Sequence, residues 1–248
     1  MTYCLGIRTR EGLVPASDAR TNAGFDQVNV CSTLHAFIAH GKRVFVILTS
    51  GSFSCSQSVL SLLGRDFDMG KGLTAAGTFY DAARLVGEQL RRISALDRAA
   101  LEQDDYKCNV QSILAKQIRG TAHDLYMIYP QGNPLRASDD CPYLQIGEIK
   151  YGRPILDRGV RLDRTSLDEA SRYALISLDS TMRSNVTVGP PIDLLVYQKD
   201  ELGVSRYRRF AECDPGLRTI HTQWEQSLRK AVLELPAIKF GYLPAPMG

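Results

Sequence analysis

Apolar positions along the chain fall into two periods. Tyr3, Leu5 and Ile7 alternate with Cys4, Gly6 and Arg8, and Glu11-Gly12 supplies a turn before Leu13-Val14, so the chain is expected to begin with two short strands. Ser17 to Gly24 is polar and reads as a loop. Val28 to Phe37 and Val44 to Leu48 read as further strands; the second is apolar throughout, as befits a strand buried on both faces. Helical spacing takes over from Ser56 to Phe67, where Val59, Leu60, Leu62 and Leu63 share a broad face. Thr78 and Asp81 resemble a capping box that opens a helix through Phe79, Ala82, Ala83, Val86, Leu90 and Ile93. Strands are predicted near 108–115, 124–129 and 142–147. A second capping box, Ser166-x-x-Glu169, starts a helix with Leu167, Ala170, Ala174, Leu178 and Met182 facing inward. Ile192 to Tyr197 reads as a strand. Pro215 opens a last helix through Leu217, Ile220, Trp224, Leu228 and Val232, which Pro236 stops.

Helices cluster in this order instead of alternating with single strands, which excludes a doubly wound parallel sheet. The pattern suits an α+β architecture in which two antiparallel sheets lie face to face with helix pairs outside. The 248 residues suffice for one large domain or two small ones. With 30 Lys+Arg against 27 Asp+Glu, spread without blocks, there is no electrostatic footprint for nucleic acid or an anionic membrane. The longest apolar run, Val44 to Leu48, is far short of a membrane span, and no apolar segment follows Arg8 and Arg10 as in a signal peptide. Six scattered cysteines without a CxxC pair read as reduced, mostly buried thiols in a cytoplasmic protein, with no metal site expected.

Several motifs have a plain reading. Gly70-Lys-Gly72-Leu-Thr-Ala75 matches a dinucleotide fingerprint in letters, but it follows a helix instead of a strand and so reads as an interhelical loop. Asn185-Val-Thr187 is a glycosylation sequon by chance. The histidines at 35, 40, 123 and 221 show no metal-ligand spacing, and no GxSxG or Walker A sequence is present. No cofactor is expected. Thr2 offers more: removal of Met1 leaves a hydroxyl and an α-amine of ordinary pKa about 7.7–8.0 on one residue, a nucleophile with its own base. Many chains begin Met-Thr, so context decides.

That context is Met1-Thr-Tyr-Cys-Leu-Gly-Ile followed by Gly12-Leu-Val-Pro-Ala-Ser-Asp18-Ala-Arg20-Thr-Asn-Ala-Gly24, with Val46-Ile-Leu-Thr-Ser-Gly51, Gln145-Ile-Gly-Glu-Ile-Lys-Tyr-Gly-Arg-Pro-Ile-Leu-Asp157, Ser177-Leu-Asp-Ser-Thr-Met-Arg-Ser-Asn185 and Gly189-Pro-Pro-Ile-Asp-Leu. Together these segments resemble proteasome β-type subunits, most closely the bacterial Anbu (ancestral β-subunit-like) group. The resemblance implies a single domain over residues 1–248, a four-layer αββα sandwich of the N-terminal nucleophile hydrolase type. It also implies no propeptide beyond Met1, assembly into a homo-oligomeric ring or spiral, and a peptide or amide substrate.

Roles follow by resemblance, position by position. Thr2 matches the nucleophile and Asp18 the carboxylate that holds a catalytic lysine, although an aspartate there could also cap its own turn. Arg20 matches an arginine bracing that loop, and Gly51 the glycine whose N–H forms the oxyanion hole. Asp179 matches an aspartate near the N-terminal amine, or else is a plain helix carboxylate. Tyr151 falls near a serine position, and Thr49 and Phe53 flank the oxyanion strand as pocket-lining residues. The departure is Thr33, which stands where the family's lysine belongs. No lysine lies between Met1 and Lys42. Without that ammonium the amine of Thr2 stays largely protonated at neutral pH, and Asp18 is expected to lose its partner. Two functions therefore remain open: a threonine-type peptidase or amidohydrolase impaired by Thr33, or a catalytically silent scaffold subunit.

Overall fold

A computed structural model describes residues 2–22 and 28–241. In chain order the elements are strands β1 (Tyr3–Arg8), β2 (Gly12–Asp18), β3 (Arg20–Asn22), β4 (Val28–Val30), β5 (Leu34–Ala39) and β6 (Arg43–Gly51), then helices α1 (Phe53–Asp68) and α2 (Phe79–Gln103). Strands β7 (Val110–Ile118), β8 (Asp124–Ile128), β9 (Pro134–Arg136) and β10 (Tyr143–Gly147) follow, then α3 (Arg153–Gly159), α4 (Leu167–Ser184), β11 (Ile192–Gln198), β12 (Arg206–Phe210) and α5 (Pro215–Leu233). One five-stranded sheet has the order β10-β1-β2-β11-β12 and the other β5-β6-β7-β8-β9, with β3 and β4 forming a separate two-stranded ribbon.

Three separate apolar cores show how the sheets stack. Tyr3, Leu5 and Ile7 of β1, with Val14 of β2 and Ile192 of β11, pack against Leu156 of α3, Leu178 of α4 and Leu217 of α5. Phe45 and Ile47 of β6 pack on the other outer face against Val59 and Leu63 of α1 and Val86 and Leu90 of α2. Between the sheets, Val44, Val46 and Leu48 of β6 meet Cys4, Leu13, Ile146 and Tyr197. Successive side chains of a strand point to opposite faces, so each central strand feeds two cores at once. That is the physical reason for the uninterrupted apolar runs, and it gives the expected α+β sandwich with helix layers outside two sheets.

Both capping boxes form. Asp81 N donates to the Thr78 side chain at the head of α2, and Glu169 N to Ser166 at the head of α4. Gly70-Lys-Gly72 lies in the turn between α1 and α2, with both glycines at positive φ. Four expectations need correction. The strand expected at Leu13-Val14 runs from Gly12 to Asp18. Its ladder to β11 is interrupted between Leu13↔Tyr197 and Ala16↔Leu194, where Pro15 has no N–H to donate. The expected loop Ser17–Gly24 instead contains the end of β2 and all of β3; only its last two residues lie outside the described residues. The strand expected over Val28–Phe37 is two strands, broken at 31–33. Strands β9 and β12 and helix α3 have no counterpart among the expected elements, being short or, in Arg206-Tyr-Arg-Arg-Phe210, mostly charged.

The caps and the core set two different stability scales. Ser166→Ala removes one cap and is expected to cost about 0.5–2 kcal/mol. Leu178→Ala opens the fully buried interior of the first core and is expected to cost about 2–5 kcal/mol. Denaturant unfolding of the two variants checks the ranking.

Candidate active site

Thr2 sits directly ahead of β1, only 9% exposed, and its backbone carbonyl accepts a hydrogen bond from Glu148 N at 3.1 Å. Gly147, at φ +81°, closes over that carbonyl: a Cβ there would overlap Thr2 O and lie 2.8 Å from Ser50 Oγ. Thus the end of β6 and the end of β10 both come up against the head of β1.

Asp18, at the end of β2, is fully buried. Its Oδ1 accepts from Tyr3 N at 2.8 Å and its Oδ2 from Gly189 N at 3.1 Å. The expectation of a carboxylate left without a partner is therefore corrected: two backbone N–H groups, not a cation, hold it. Burial pushes its carboxyl up to about 7, against the opposing pull of those two bonds and of Arg20. Thr33 lies beneath it, buried, and donates from Oγ1 to Asp18 O at 2.7 Å, while Thr33 O accepts from Thr49 N at 3.0 Å. Among the described residues no ion pair reaches Asp18. Arg8 pairs with Asp124 and Asp139 instead, and Lys42 lies in the β5–β6 turn.

The segment 185–189 frames the other side. Arg20 donates to Val186 O at 3.1 Å, and its guanidinium lies against Gly189, where a Cβ would collide with it. Asn185 Nδ2 donates to Glu148 Oε2 at 2.9 Å, and Asn185 Oδ1 accepts from Thr187 N. The sequon residues thus act as a structural turn. Gly51 ends β6 at φ +113° with Asn109 O where a Cβ would be, so a side chain cannot be accommodated there. Helix α1 starts two residues later without a side-chain cap from Ser52, which turns the positive end of its dipole toward the same place. Beside it opens a pocket of about 630 Å³, lined by Thr49 and Phe53 together with Ser32, Leu34, His35 and Gln57. Among the described residues its walls carry no carboxylate, Lys or Arg.

Two of the residues picked out from the sequence lie elsewhere. Asp179 points from α4 to α5, where its Oδ1 meets His221 Nδ1 at 2.8 Å. Tyr151 lies in the turn before α3, 40% exposed, and its side chain makes no hydrogen bond among the described residues. Glu148 and Asn185 were not picked out: the buried Glu148 meets Thr2 through its backbone N–H, and its side chain accepts from the half-buried Asn185. Both stand inside segments that carried the resemblance, but neither has a local pattern that marks it out. Among the described residues, no three His, Cys, Asp or Glu side chains gather as metal ligands do, and no helix is long and apolar enough to cross a membrane.

Comparison with known proteins matches this geometry. No family model matches the chain. The proteasome subunit beta of Haloferax volcanii is 26% identical over 210 residues, covering 84% of this chain and 78% of that one. The structure of Anbu (ancestral beta-subunit) from Yersinia bercovieri is 39% identical with a TM-score of 0.91, covering 97% of this chain and all of that one. The helical assembly of the Anbu complex from Pseudomonas aeruginosa provides a chain 41% identical with a TM-score of 0.90, covering 96% of this chain and 98% of that one. Two helix-flanked antiparallel sheets headed by a threonine define a proteasome β-type fold of the N-terminal nucleophile hydrolase class. Within that class, the chain belongs to the Anbu family.

The state of Asp18 can be read from stability. A carboxyl raised from about 3.9 when unfolded to about 7 when folded binds more protons in the native state, so its contribution is lost as pH rises from about 4 to 7. Asp18→Asn does not ionise. Its stability relative to the unsubstituted protein is therefore expected to improve steadily over that window and to level off above it. Thermal unfolding of both proteins from pH 4 to 8 checks the sign; a difference that is flat or falling contradicts it.

Proposed function

We propose that this protein is a threonine-type peptidase or amidohydrolase, slowed by the absence of a cation at position 33. The observation that carries this reading is the convergence on the head of β1 of Thr2, the buried Asp18 and the end of β6 bearing Gly51, beside a pocket for a substrate side chain. With Met1 removed, the Thr2 hydroxyl attacks the scissile carbonyl and passes its proton to the α-amine of the same residue. The developing oxyanion takes the Gly51 N–H, and such a donor is typically worth about 10²–10³ in rate. The α-ammonium then protonates the leaving amine, leaving an ester on Thr2 that water hydrolyses. Thr49 and Phe53 line the pocket for the residue before the cleaved bond, and its uncharged wall favours a neutral side chain. Arg20 holds the 186–189 segment in place and Thr33 holds the backbone of Asp18.

The weak point is proton transfer. An amine with no neighbouring ammonium keeps a pKa near 7.7–8.0 and is mostly protonated at neutral pH. That specific lack supports the second reading, a silent scaffold subunit. Thr33→Lys separates the two. Its ammonium would meet Asp18 and sit near Thr2, and general acid–base assistance is typically worth about 10²–10⁴ in rate. Hydrolysis of a panel of short peptide amides with neutral residues before the scissile bond is expected to rise at least tenfold in Thr33→Lys and to vanish in Thr2→Ala/Thr33→Lys. A folded Thr33→Lys protein no faster than the unsubstituted one argues for the scaffold.

Self-assembly without a second subunit type is part of the same proposal. Beyond the helical assembly of the Pseudomonas aeruginosa relative, its support is a run of exposed apolar residues at the end of the chain: Leu228, Val232 and Leu233 on α5, then Leu235, Ile238 and Phe240. Six cysteines without a disulfide fit a cytoplasmic setting. Light scattering at micromolar concentration is expected to give a mass several times 27.5 kDa; a monomer refutes the assembly.

A further inference from the structure

Two of the six cysteines are neighbours in space. Cys55 Sγ and Cys108 Sγ lie 3.1 Å apart, with Cys55 1% and Cys108 7% exposed. The residues are 53 positions apart in sequence, one in the first turn of α1 and the other between α2 and β7. About 1 Å separates this approach from the sulfur–sulfur bond of a disulfide. The pair also has a particular place. Asn109 follows Cys108, and its carbonyl accepts from Ser52 N at 2.8 Å and blocks any side chain at Gly51; Val110 then pairs with Gly51 across the ladder. The two thiols therefore stand on either side of the turn that carries Gly51.

We propose that Cys55 and Cys108 form a redox pair that closes to a disulfide when the protein meets a hydroperoxide, clamping the Gly51 turn covalently. Cys108 reacts first, being the less covered of the two. Its sulfur attacks the peroxide, the O–O bond breaks, and a sulfenic acid forms with release of the alcohol or water. Cys55 sulfur then displaces the sulfenic oxygen as water. In sum, two thiols and one hydroperoxide give one disulfide, one alcohol (water, for hydrogen peroxide) and one water, with the sulfurs oxidised by two electrons and the peroxide reduced by two. Burial, and after it the bond from Cys55, pushes the Cys108 thiol up to about 11, so little of it is thiolate at neutral pH and its oxidation is slow, which is why the oxidant is supplied in excess. This reaction needs nothing from Thr2 and stands whether the protein is an active hydrolase or a scaffold.

The test treats the full-length reduced protein with excess hydrogen peroxide, alkylates the remaining thiols and maps the peptides by mass. The expected result is a loss of about 2 Da and of two alkylatable thiols, with one linked pair of peptides carrying Cys55 and Cys108 that dithiothreitol reverses. Cys55→Ala and Cys108→Ala each abolish that linked pair. The oxidised protein is expected to melt higher and to exchange the backbone amides of residues 51–56 more slowly than the reduced one. Two results overturn the proposal. One is that Cys55 and Cys108 stay alkylatable under an exposure that oxidises the exposed Cys213, or are found linked to other cysteines. The other is an oxidised form whose melting temperature and amide exchange match the reduced one, which removes the clamp.

Discussion

Everything at the head of the first strand rests on how the Asp18 carboxyl is held. Its two oxygens join residues separated by 15 and by 171 positions, Tyr3 through one backbone N–H and Gly189 through another. Were the carboxyl lost, both donors would be left in a dry interior without acceptors, each at a cost of about 1–3 kcal/mol. The carboxyl therefore fixes the first strand and the 185–189 segment to one point. It does so without a cation, which separates the architectural role of this residue from any part in chemistry. The uncharged Thr33 adds a further tie to the same point through the backbone carbonyl of Asp18.

The layering follows from strand alternation. Because each central strand supplies side chains to an outer helix core and to the space between the sheets, neither sheet has a solvated face to spare. This made the fold class legible: Val44–Leu48 is apolar without a break, and the helices announce themselves by two capping boxes and a 3.6-residue period. The elements β9, β12 and α3 lack such periodicity. β12 is an edge strand whose arginines face solvent, and α3 is under two turns long. The strand β2 runs on past Leu13-Val14 through Pro15, a residue that normally interrupts a ladder. Here the interruption falls on one side only, and β1 continues to pair beside it.

The site was legible to a different degree. Thr2, Asp18 and Gly51 stand in tight local contexts, and their neighbours along the chain mark them. Glu148 and Asn185 matter because of where tertiary structure delivers them, and a buried glutamate or a turn asparagine leaves no periodic trace. Asp179 is the opposite case, a residue that local context singles out and that tertiary structure turns toward α5. It lies two residues after Ser177, whose hydroxyl meets Tyr3 OH at 2.7 Å, yet two residues turn a helix by about 200° and carry the aspartate round to face α5.

The latching of residue 18 to residue 189 bears on how the chain is made. β1 and β2 leave the ribosome first, but their outer partners β10 and β11 begin more than a hundred residues later. Until then the opening hairpin has unsatisfied edges on both sides, and long-range pairing of this kind is slow and exposed to misassociation. A nascent chain thus cannot present a finished arrangement: the surroundings of Thr2 close only once residue 189 has been synthesised. Any hydrolytic capacity would accordingly be withheld from partial products by topology alone, with no inhibitory segment required.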